Sequence, residues 1–213
     1  MQFEFEKDPR RIEAKSFEII RQLVNLEPYG REQQQVVMRI VHSLGLPHLA
    51  EQIRFSNHAC ESGMQALARH NPILCDVEMV KQGITKRMIS QPPLCFLNHP
   101  DTIAIAGTSG ETRTMAALQQ WRNYVDGSVV IIGNAPTALF RLLEMLAHKG
   151  EKPALIIGMP VGFVGAAESK LALWQCHEEL GVECITLLGR EGGSAVAAAT
   201  CNALLRCIQG EYY

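Results

Sequence analysis

His42 is a candidate for proton transfer, because an imidazole with an ordinary pKa can donate a proton near neutral pH. It falls within a predicted helix over residues 31–44, which is expected to end at Gly45. The apolar residues of this helix lie within one arc: Val36, Val37, Ile40, Val41 and Leu44. His42 projects almost opposite the centre of that arc, so the periodicity predicts that it faces away from the local core. From the pattern alone, a solvated surface histidine is a more ordinary interpretation than a functional one.

Two consecutive strand–glycine–helix segments form a second candidate site. The first joins a buried strand over Val129–Ile132 to a helix through Gly133. The second repeats this arrangement from Ala154 through Gly158 and a proline-bearing loop into a helix from about Ala167. Loops at the carboxyl ends of parallel strands open into helix N-termini, where open α/β sheets bind ligands and particularly anions. We therefore expect these two loops to form part of a ligand site.

Two charged residues stand at element ends where the sequence allows more than one interpretation. Thr108–Glu111 fits the capping-box pattern, which would place Arg113 in the first turn of a helix. A helix N-terminus stabilises anions rather than cations, so an arginine there needs another cause, and a bound carboxylate would supply one. Asp76 follows the first predicted central strand, where α/β sites collect functional residues, but it could equally cap a helix over 77–82.

The elements that must position these residues alternate between strands and helices. Each of five predicted strands is followed by a helix, and the strands lie near residues 73, 94, 129, 154 and 184. This pattern predicts a three-layer α/β/α architecture with a five-stranded, mainly parallel sheet in a flavodoxin-like doubly wound order. Ile53–Phe55 could add a short edge strand. Residues 1–70 are predicted to be mainly helical, packed on an α/β core over 71–213 or donated to a partner subunit, and 1–213 is expected to form one domain.

The composition argues against several classes of partner. The chain has 213 residues, of which 47% are hydrophobic, and its formal net charge of -2 includes no run of Lys or Arg, so no nucleic-acid partner is expected. The apolar runs are short, so no membrane span is predicted, and the acidic first residues do not resemble a signal peptide. The seven cysteines include no Cys-x-x-Cys pair. We therefore expect a cytoplasmic protein that binds no metal.

Three glycine-containing motifs distinguish this sequence from a generic α/β protein. They span Ile131–Glu144, Gly158–Lys170 and Gly189–Ser194. Two weaker motifs lie at Asp8–Phe17 and at Leu74–Thr85, so the motifs extend over essentially the whole chain. Together these segments resemble precorrin-8X methylmutases, a family that acts late in corrin ring synthesis. One glycine loop would be a weak signal, whereas two long glycine-proline motifs in this order are specific.

The resemblance implies a cofactor-independent isomerase, which moves a methyl group from C-11 to C-12 of precorrin-8X to give hydrogenobyrinate. A cobalt-loaded substrate, cobalt-precorrin-8, would give cobyrinate, and the sequence does not distinguish the two substrates. The family's catalytic histidine lies in a His-x-x-Gly motif, matched here by His42-Ser-Leu-Gly45. By this resemblance His42 is the general acid that protonates the ring, which reverses its interpretation as a surface residue.

The substrate that the resemblance implies carries acetate and propionate arms around a large flat ring, so its site requires distributed donors and an apolar bed. Arg113 would pair with one carboxylate, and four polar residues would hydrogen-bond others: Ser16, Thr85, Thr112 and Asn134. The glycine loops, including Gly162, would contribute backbone N–H groups. Lys170 is either a further carboxylate partner or a solvated lysine. Arg190 is a weaker candidate than Arg113, because Glu191 could pair with it locally.

A homodimer is expected, with the site near the subunit interface, because His42 faces away from its own core and could meet a ring beside a second subunit. Two rival functions remain open. A phosphate- or nucleotide-binding α/β protein would also use glycine loops, although neither loop matches G-x-x-x-x-G-K-[ST], or G-x-G-x-x-G followed by an acid. A non-catalytic corrinoid carrier would bind the same ring without rearranging it.

Overall fold

The computed structural model describes residues 1–148 and 150–213, and its regular elements include nine α-helices and five strands within those residues. In chain order they are α1 (Pro9–Leu23), α2 (Arg31–Leu44), a 3-10 helix (Pro47–Gln52), β1 (Ile53–Phe55), α3 (Ala59–Ala68), β2 (Ile73–Cys75), α4 (Glu78–Gly83), a 3-10 helix (Lys86–Met88), α5 (Pro100–Ser109), α6 (Arg113–Trp121), β3 (Val129–Ile132), α7 (Pro136–Ala147), β4 (Leu155–Gly158), α8 (Ala166–Leu180), β5 (Cys184–Leu187) and α9 (Ser194–Ile208). None of the described helices is both long and apolar enough to cross a membrane.

The five strands form one sheet in the order β1-β5-β4-β3-β2. Strands β2 to β5 are parallel, and β1 pairs antiparallel with β5, so the mainly parallel five-stranded sheet and the short edge strand are both confirmed. The strand predicted near residue 94 is wrong, because Leu94 makes only a single parallel bridge, to Leu74. Pro92 and Pro93 directly before it have no backbone N–H to donate, which prevents a longer ladder on that side.

The bridge at Leu94 lies on the free edge of β2, since Leu74 pairs with Val130 of β3 on its other side. The chain thus passes from β2 to this edge and then returns across β2 to form β3. The direction of the chain across the sheet therefore reverses beside the carboxyl ends of β2 and β3. Ligand sites of open α/β sheets lie at such reversals.

Side chains of the strands alternate between two hydrophobic layers, which gives the predicted three-layer α/β/α architecture. In β3, Val129 and Ile131 face the layer that contains α1–α4 and α9. Val130 and Ile132 face the layer that contains α6, α7 and α8. All four side chains are fully buried, as expected for a parallel strand covered on both faces.

The amino-terminal helices pack on the core through α2, which lies along α9. The buried face of α2 agrees with the predicted arc and includes Val36, Val37, Ile40 and Val41. The helix ends at Gly45, whose φ of 67° is a left-handed conformation that residues with a side chain rarely adopt. His42 is exposed and faces away from the buried side, as the periodicity predicts.

Helix α6 begins later than the sequence pattern indicates. The predicted capping box over Thr108–Glu111 is wrong, because α5 continues through Thr108 to Ser109. Gly110 follows as its C-cap, with a left-handed φ of 72°. Thr112 caps α6 instead, and its hydroxyl accepts a hydrogen bond from the backbone N–H of Met115 at 3.3 Å. Arg113 still occupies the first turn of α6.

Candidate active site

The imidazole of His42 lies on the exposed side of α2, stacked against the Phe17 ring of α1. The two ring centroids are 5.2 Å apart, and the ring planes are inclined by 20°. Partial removal of water by this packing lowers the pKa of His42, and the positive charge of Arg39 lowers it further, whereas Glu13 acts in the opposite direction. A lowered pKa makes the protonated imidazole a stronger acid, and its exposed edge leaves it accessible to a substrate.

Charged side chains from three helices meet beside His42. Glu13 of α1 accepts hydrogen bonds from Arg39 of α2 at 3.3 Å and from Arg206 of α9 at 3.5 Å. Sequence reasoning missed these residues, because the partners of Glu13 lie 26 and 193 positions away along the chain. One signal was present for Arg39, which precedes His42 by one turn of the same helix.

Ser16 and Thr85 are partly exposed, and each makes one hydrogen bond within the protein. The Ser16 hydroxyl donates to the Ile12 carbonyl of its own helix at 2.7 Å. The backbone N–H of Thr85 donates to the side-chain oxygen of Asn202 at 2.8 Å. Because Asn202 lies one turn from Arg206, α9 contacts both Thr85 and the charged residues beside His42.

A second set of predicted residues, here called the loop-end group, consists of Thr112, Arg113 and Asn134 beside the carboxyl end of β3. The hydroxyls of Thr112 and Thr137, at the N-termini of α6 and α7, are 3.0 Å apart and share a hydrogen bond. Arg113 is exposed and donates to the side-chain oxygen of Asn98 at 3.3 Å. Asn134 is also exposed. The group thus presents one cation and several polar side chains beside the carboxyl ends of β2 and β3, where the direction of the chain across the sheet reverses.

Asp76 occupies the anion position at the start of α7 that the sequence assigned to a ligand. Its carboxylate accepts hydrogen bonds from three consecutive backbone N–H groups of the β3–α7 loop, at 3.1 Å from Gly133, 2.8 Å from Asn134 and 2.9 Å from Ala135. Asp76 is only 1% exposed, and burial raises its pKa although these N–H groups act in the opposite direction. The alternative prediction, that Asp76 caps α4, is wrong, because no side chain caps α4. The prediction that the β3–α7 loop offers free backbone N–H groups is also wrong, because these groups donate to Asp76.

The loops after β4 and β5 are hydrogen-bonded to each other. Gly162 donates its backbone N–H to the Arg190 carbonyl at 3.2 Å, and Gly193 donates to the Met159 carbonyl at 2.8 Å. A side chain at Gly192 would place its Cβ 2.4 Å from the Met159 oxygen, so only glycine permits this contact. The backbone N–H of Gly162 is therefore hydrogen-bonded within the protein.

Lys170 is buried beneath the β5–α9 loop. Its side chain is 0% exposed, and its ammonium group donates to the backbone carbonyl of Glu191. Burial lowers the pKa of Lys170 to about 8, although the negative charge of Glu191 acts in the opposite direction. The interpretation of Lys170 as a solvated lysine is therefore wrong. The guanidinium of Arg190 lies 5.8 Å from the centre of the Phe163 ring.

The charged residues beside His42 and the β3–α7 loop contact α9 at different levels. At the beginning of α9, the Cα of Ser194 lies 2.9 Å from the position that a Cβ on Gly133 would occupy. Near the end of α9, Arg206 contacts Glu13. The segment of α9 between Ser194 and Arg206 spans about 18 Å. Within residues 1–148 and 150–213, no hydrogen bond or ion pair joins His42 or Ser16 directly to the loop-end group.

The predicted site residues do not line the open cleft between α6 and α7. This cleft has a volume of about 640 Å³, and Arg122, Arg141 and Met145 are among the residues that line it. In the part of the chain that the structure describes, no cluster of three or more His, Cys, Asp or Glu side chains is arranged to hold a metal ion.

Comparisons with known proteins point to one family. The family model described as "Precorrin-8X methylmutase" matches residues 11–207. A precorrin-8X methylmutase of Pseudomonas aeruginosa is 45% identical over 200 residues, which cover 93% of this chain and 95% of that protein. A cobalt-precorrin-8 methylmutase of Methanocaldococcus jannaschii is 35% identical over 211 residues, which cover 96% and 97% of the two chains. A crystal structure of the precorrin-8X methylmutase of Thermus thermophilus has a TM-score of 0.85 and 34% identity, covering 96% of this chain and 98% of that one.

Proposed function

Because the chain belongs to the precorrin-8X methylmutase family, we propose that it is an isomerase of cobalamin biosynthesis, which moves a methyl group from C-11 to C-12 of precorrin-8X. The match of the family model over residues 11–207 carries this conclusion. The position of His42 supports it, since the side chain is exposed and its surroundings change its acidity.

In this proposal His42 is the general acid. A ring that lies against α1 and α2 can reach the exposed imidazole, which delivers a proton to the ring. The protonated ring is electron-poor, so the methyl group migrates with its bonding electrons from C-11 to C-12. Because an isomerisation leaves the composition of the substrate unchanged, the ring then releases one proton, and the neutral imidazole can accept it.

The loop-end group would bind carboxylate arms of the ring. Arg113 has one hydrogen bond, to Asn98, and a guanidinium has five N–H donors, so several remain for a carboxylate. Thr112 and Asn134 add a hydroxyl and an exposed amide beside it. Ser16 and Thr85, which are partly exposed near α1 and α9, would hydrogen-bond other arms.

Gly162 and Lys170 would act indirectly, by holding the loops after β4 and β5 in place. The Gly162 N–H and the Lys170 ammonium both donate to carbonyls of the β5–α9 loop. Each bond joins this loop to the β4–α8 segment, so together they fix one wall of the site. A carboxylate could reach Lys170 only if this loop moved, because the side chain is fully buried.

We propose that the active form is a homodimer in which one ring contacts His42 of one subunit and the loop-end group of the other. The points at which α9 contacts the β3–α7 loop and Glu13, Ser194 and Arg206, are about 18 Å apart along the helix, which supports a shared site. Exposed apolar side chains near the loop ends also favour a covering partner, since Phe163 is 86% and Val164 is 90% exposed.

Metal-free precorrin-8X is the substrate that we propose. A relative named for this substrate is 45% identical to the chain, whereas relatives named for the cobalt form are 35% and 37% identical. No resident cofactor is required in this proposal, because the histidine supplies the proton and the ring supplies the migrating group.

The proposed location is the cytoplasm, where the seven free cysteines would remain reduced.

We also propose a relationship to flavodoxin-like doubly wound sheets. Its support is the parallel bridge at Leu94, which stands where the second strand of the order 2-1-3-4-5 would lie.

The two rival functions differ from the proposal in what they require of the chain. A phosphate-binding protein would use free N–H groups at the glycine loops, but those of Gly133, Asn134 and Ala135 are bonded to Asp76. A corrinoid carrier would bind the ring without a group that exchanges protons with it. The exposed imidazole of His42 therefore favours the isomerase.

Spectrophotometric turnover of metal-free and cobalt substrates, measured side by side, tests the proposal. We expect the metal-free ring to be converted faster. His42→Ala should bind the coloured ring but slow its conversion by about 10²- to 10⁴-fold, the usual contribution of a general acid. His48→Ala, which removes another exposed histidine, is the control and should remain active. Full turnover by His42→Ala would refute the catalytic assignment.

A further inference from the structure

Three aromatic side chains from distant parts of the chain stack in a row that includes His42. Phe17, which is 1% exposed, stacks with the imidazole of His42 at 5.2 Å and with the phenol ring of Tyr213 at 3.7 Å. The planes of Phe17 and Tyr213 are inclined by only 18°. Face-to-face contact at this distance fixes the plane of the Phe17 ring, against which the imidazole lies.

Tyr213 is held at both ends. Its backbone N–H donates to the side-chain oxygen of the buried Gln35 at 2.8 Å, and its hydroxyl donates to Glu13 at 3.0 Å. The guanidinium groups of Arg39 and Arg206 lie over its ring at 4.6 and 5.2 Å from the centroid. Tyr213 therefore contacts both the ring and the carboxylate that adjoin His42.

We infer that Tyr213 is a positioning residue for His42, which it orients by holding the Phe17 ring and the Glu13 carboxylate in place. This inference rests on the proposed role of His42 as general acid. The sequence gives no indication of it, because Tyr213 lies far from every motif.

The charged groups around His42 make its acidity sensitive to this arrangement. Arg39 on α2 and Glu13 on α1 have opposite effects on the pKa of His42, while Arg206 on α9 and Glu211 beyond it balance the charges around Tyr213. The largest cause of the lowered pKa is the removal of water from His42. Loss of the Tyr213 ring would admit water beside Phe17, so the pKa of His42 should rise towards its ordinary value of 6.5.

Tyr213→Leu tests the inference, because leucine keeps an apolar side chain but removes the stacked ring and the hydroxyl. NMR titration of the His42 ring proton, assigned by its loss in His42→Ala, measures the pKa without any turnover. We expect a raised pKa, a changed chemical shift from the altered ring stack, and a kcat about tenfold lower with little change in KM. Tyr213→Phe retains the ring and should restore the chemical shift and most of the activity.

Tyr212→Ala is the matched control. Its hydroxyl contacts Glu32, and its ring lies beneath Arg31, so the substitution removes a neighbouring tyrosine from the other side of the same segment. His42 should titrate as in the wild type in this variant. An unchanged His42 titration and chemical shift in folded Tyr213→Leu would overturn the inference. A shifted His42 titration in Tyr213→Leu, together with full turnover by His42→Ala, would support the positioning of His42 by Tyr213 but reject the catalytic role of His42.

Discussion

Asn134 donates its backbone N–H to the carboxylate of Asp76 at 2.8 Å, and this bond joins the end of β2 to the loop before α7. Two adjacent N–H groups bond to the same carboxylate. A helix N-terminus favours negative charge, and here the carboxylate of Asp76 occupies the N-terminus of α7, beside the carboxyl ends of β2 and β3. The proposed recognition of a substrate there therefore relies on side chains rather than on these three backbone N–H groups.

Asp76→Ala should reduce the free energy of unfolding by about 3 kcal/mol, because it leaves several buried N–H groups without an acceptor. Asp76→Asn should cost less, since its amide oxygen still accepts. Urea denaturation measures both effects. Asp126→Ala removes an exposed aspartate and serves as the control. Equal stability of Asp76→Ala and the wild type would show that the loop does not depend on this carboxylate.

Lys170→Met should change how stability depends on pH. In the folded state the pKa of Lys170 is lowered to about 8 from its ordinary 10.5, so the unfolded chain binds more protons between these values. The contribution of Lys170 to stability thus increases as pH rises from 8 to 10.5 and is lost as pH falls through 8. Relative to Lys170→Met, the wild type should gain up to about 3 kcal/mol over this window.

Denaturation of both proteins at several pH values measures the difference directly. Comparison with the variant is needed because burial raises the pKa values of several cysteines, such as Cys201 to about 12, which opposes the trend. Lys86→Met corrects for the change in net charge, since it removes an exposed lysine. A constant difference between wild type and Lys170→Met across pH 8 to 10.5 would contradict the prediction.

Arg113→Ala should weaken substrate binding far more than it weakens the fold. The side chain is exposed and its charge opposes the dipole of α6, so the stability should change by less than about 0.5 kcal/mol. Loss of a charge-assisted hydrogen bond to a carboxylate should raise the dissociation constant about tenfold or more. Titration of the coloured substrate measures binding, and Arg122→Ala, at the other end of α6, is the control. An unchanged dissociation constant would count against the carboxylate pairing.

Mixed oligomers test whether two subunits share each site. If His42 and Arg113 of different subunits serve one ring, a dimer of His42→Ala with Arg113→Ala contains one intact site and one doubly altered site. Random pairing should then restore about a quarter of the wild-type activity, although each variant alone is impaired. If one subunit supplies both residues, every site in the mixture carries one defect and no activity returns. Sedimentation velocity shows which oligomers are present.

Local patterns predicted the direction of His42 but not its surroundings. The arc of apolar residues on α2 fixes which side of the helix is buried, and His42 lies opposite to it. The contact between Glu13 and Tyr213 spans 200 positions, and no local pattern encodes such a distance. Periodicity therefore placed the imidazole correctly while leaving its charged and aromatic neighbours unknown.

The errors at Leu94 and Thr108 have a different cause, because two local interpretations competed at each position. The apolar run from Leu94 has the composition of a strand, but Pro92 and Pro93 before it have no backbone N–H with which to extend the ladder. Thr108 and Thr112 both precede helix-forming residues, and the left-handed turn at Gly110 decides in favour of Thr112. Likewise, the sequence allows two roles for Asp76, as a functional residue or as a helix cap, and only the tertiary fold brings the β3–α7 loop to it.

The contact between Glu13 and Tyr213 leads us to expect that the surroundings of His42 form late in folding. Contacts between segments so far apart carry a large loop-closure entropy, whereas the consecutive β–α–β crossovers from β3 to β5 join nearby segments. We therefore expect the parallel sheet to assemble first and α1 to dock late in the folding reaction. A folding intermediate in which the sheet has already formed would thus still lack the surroundings that lower the pKa of His42.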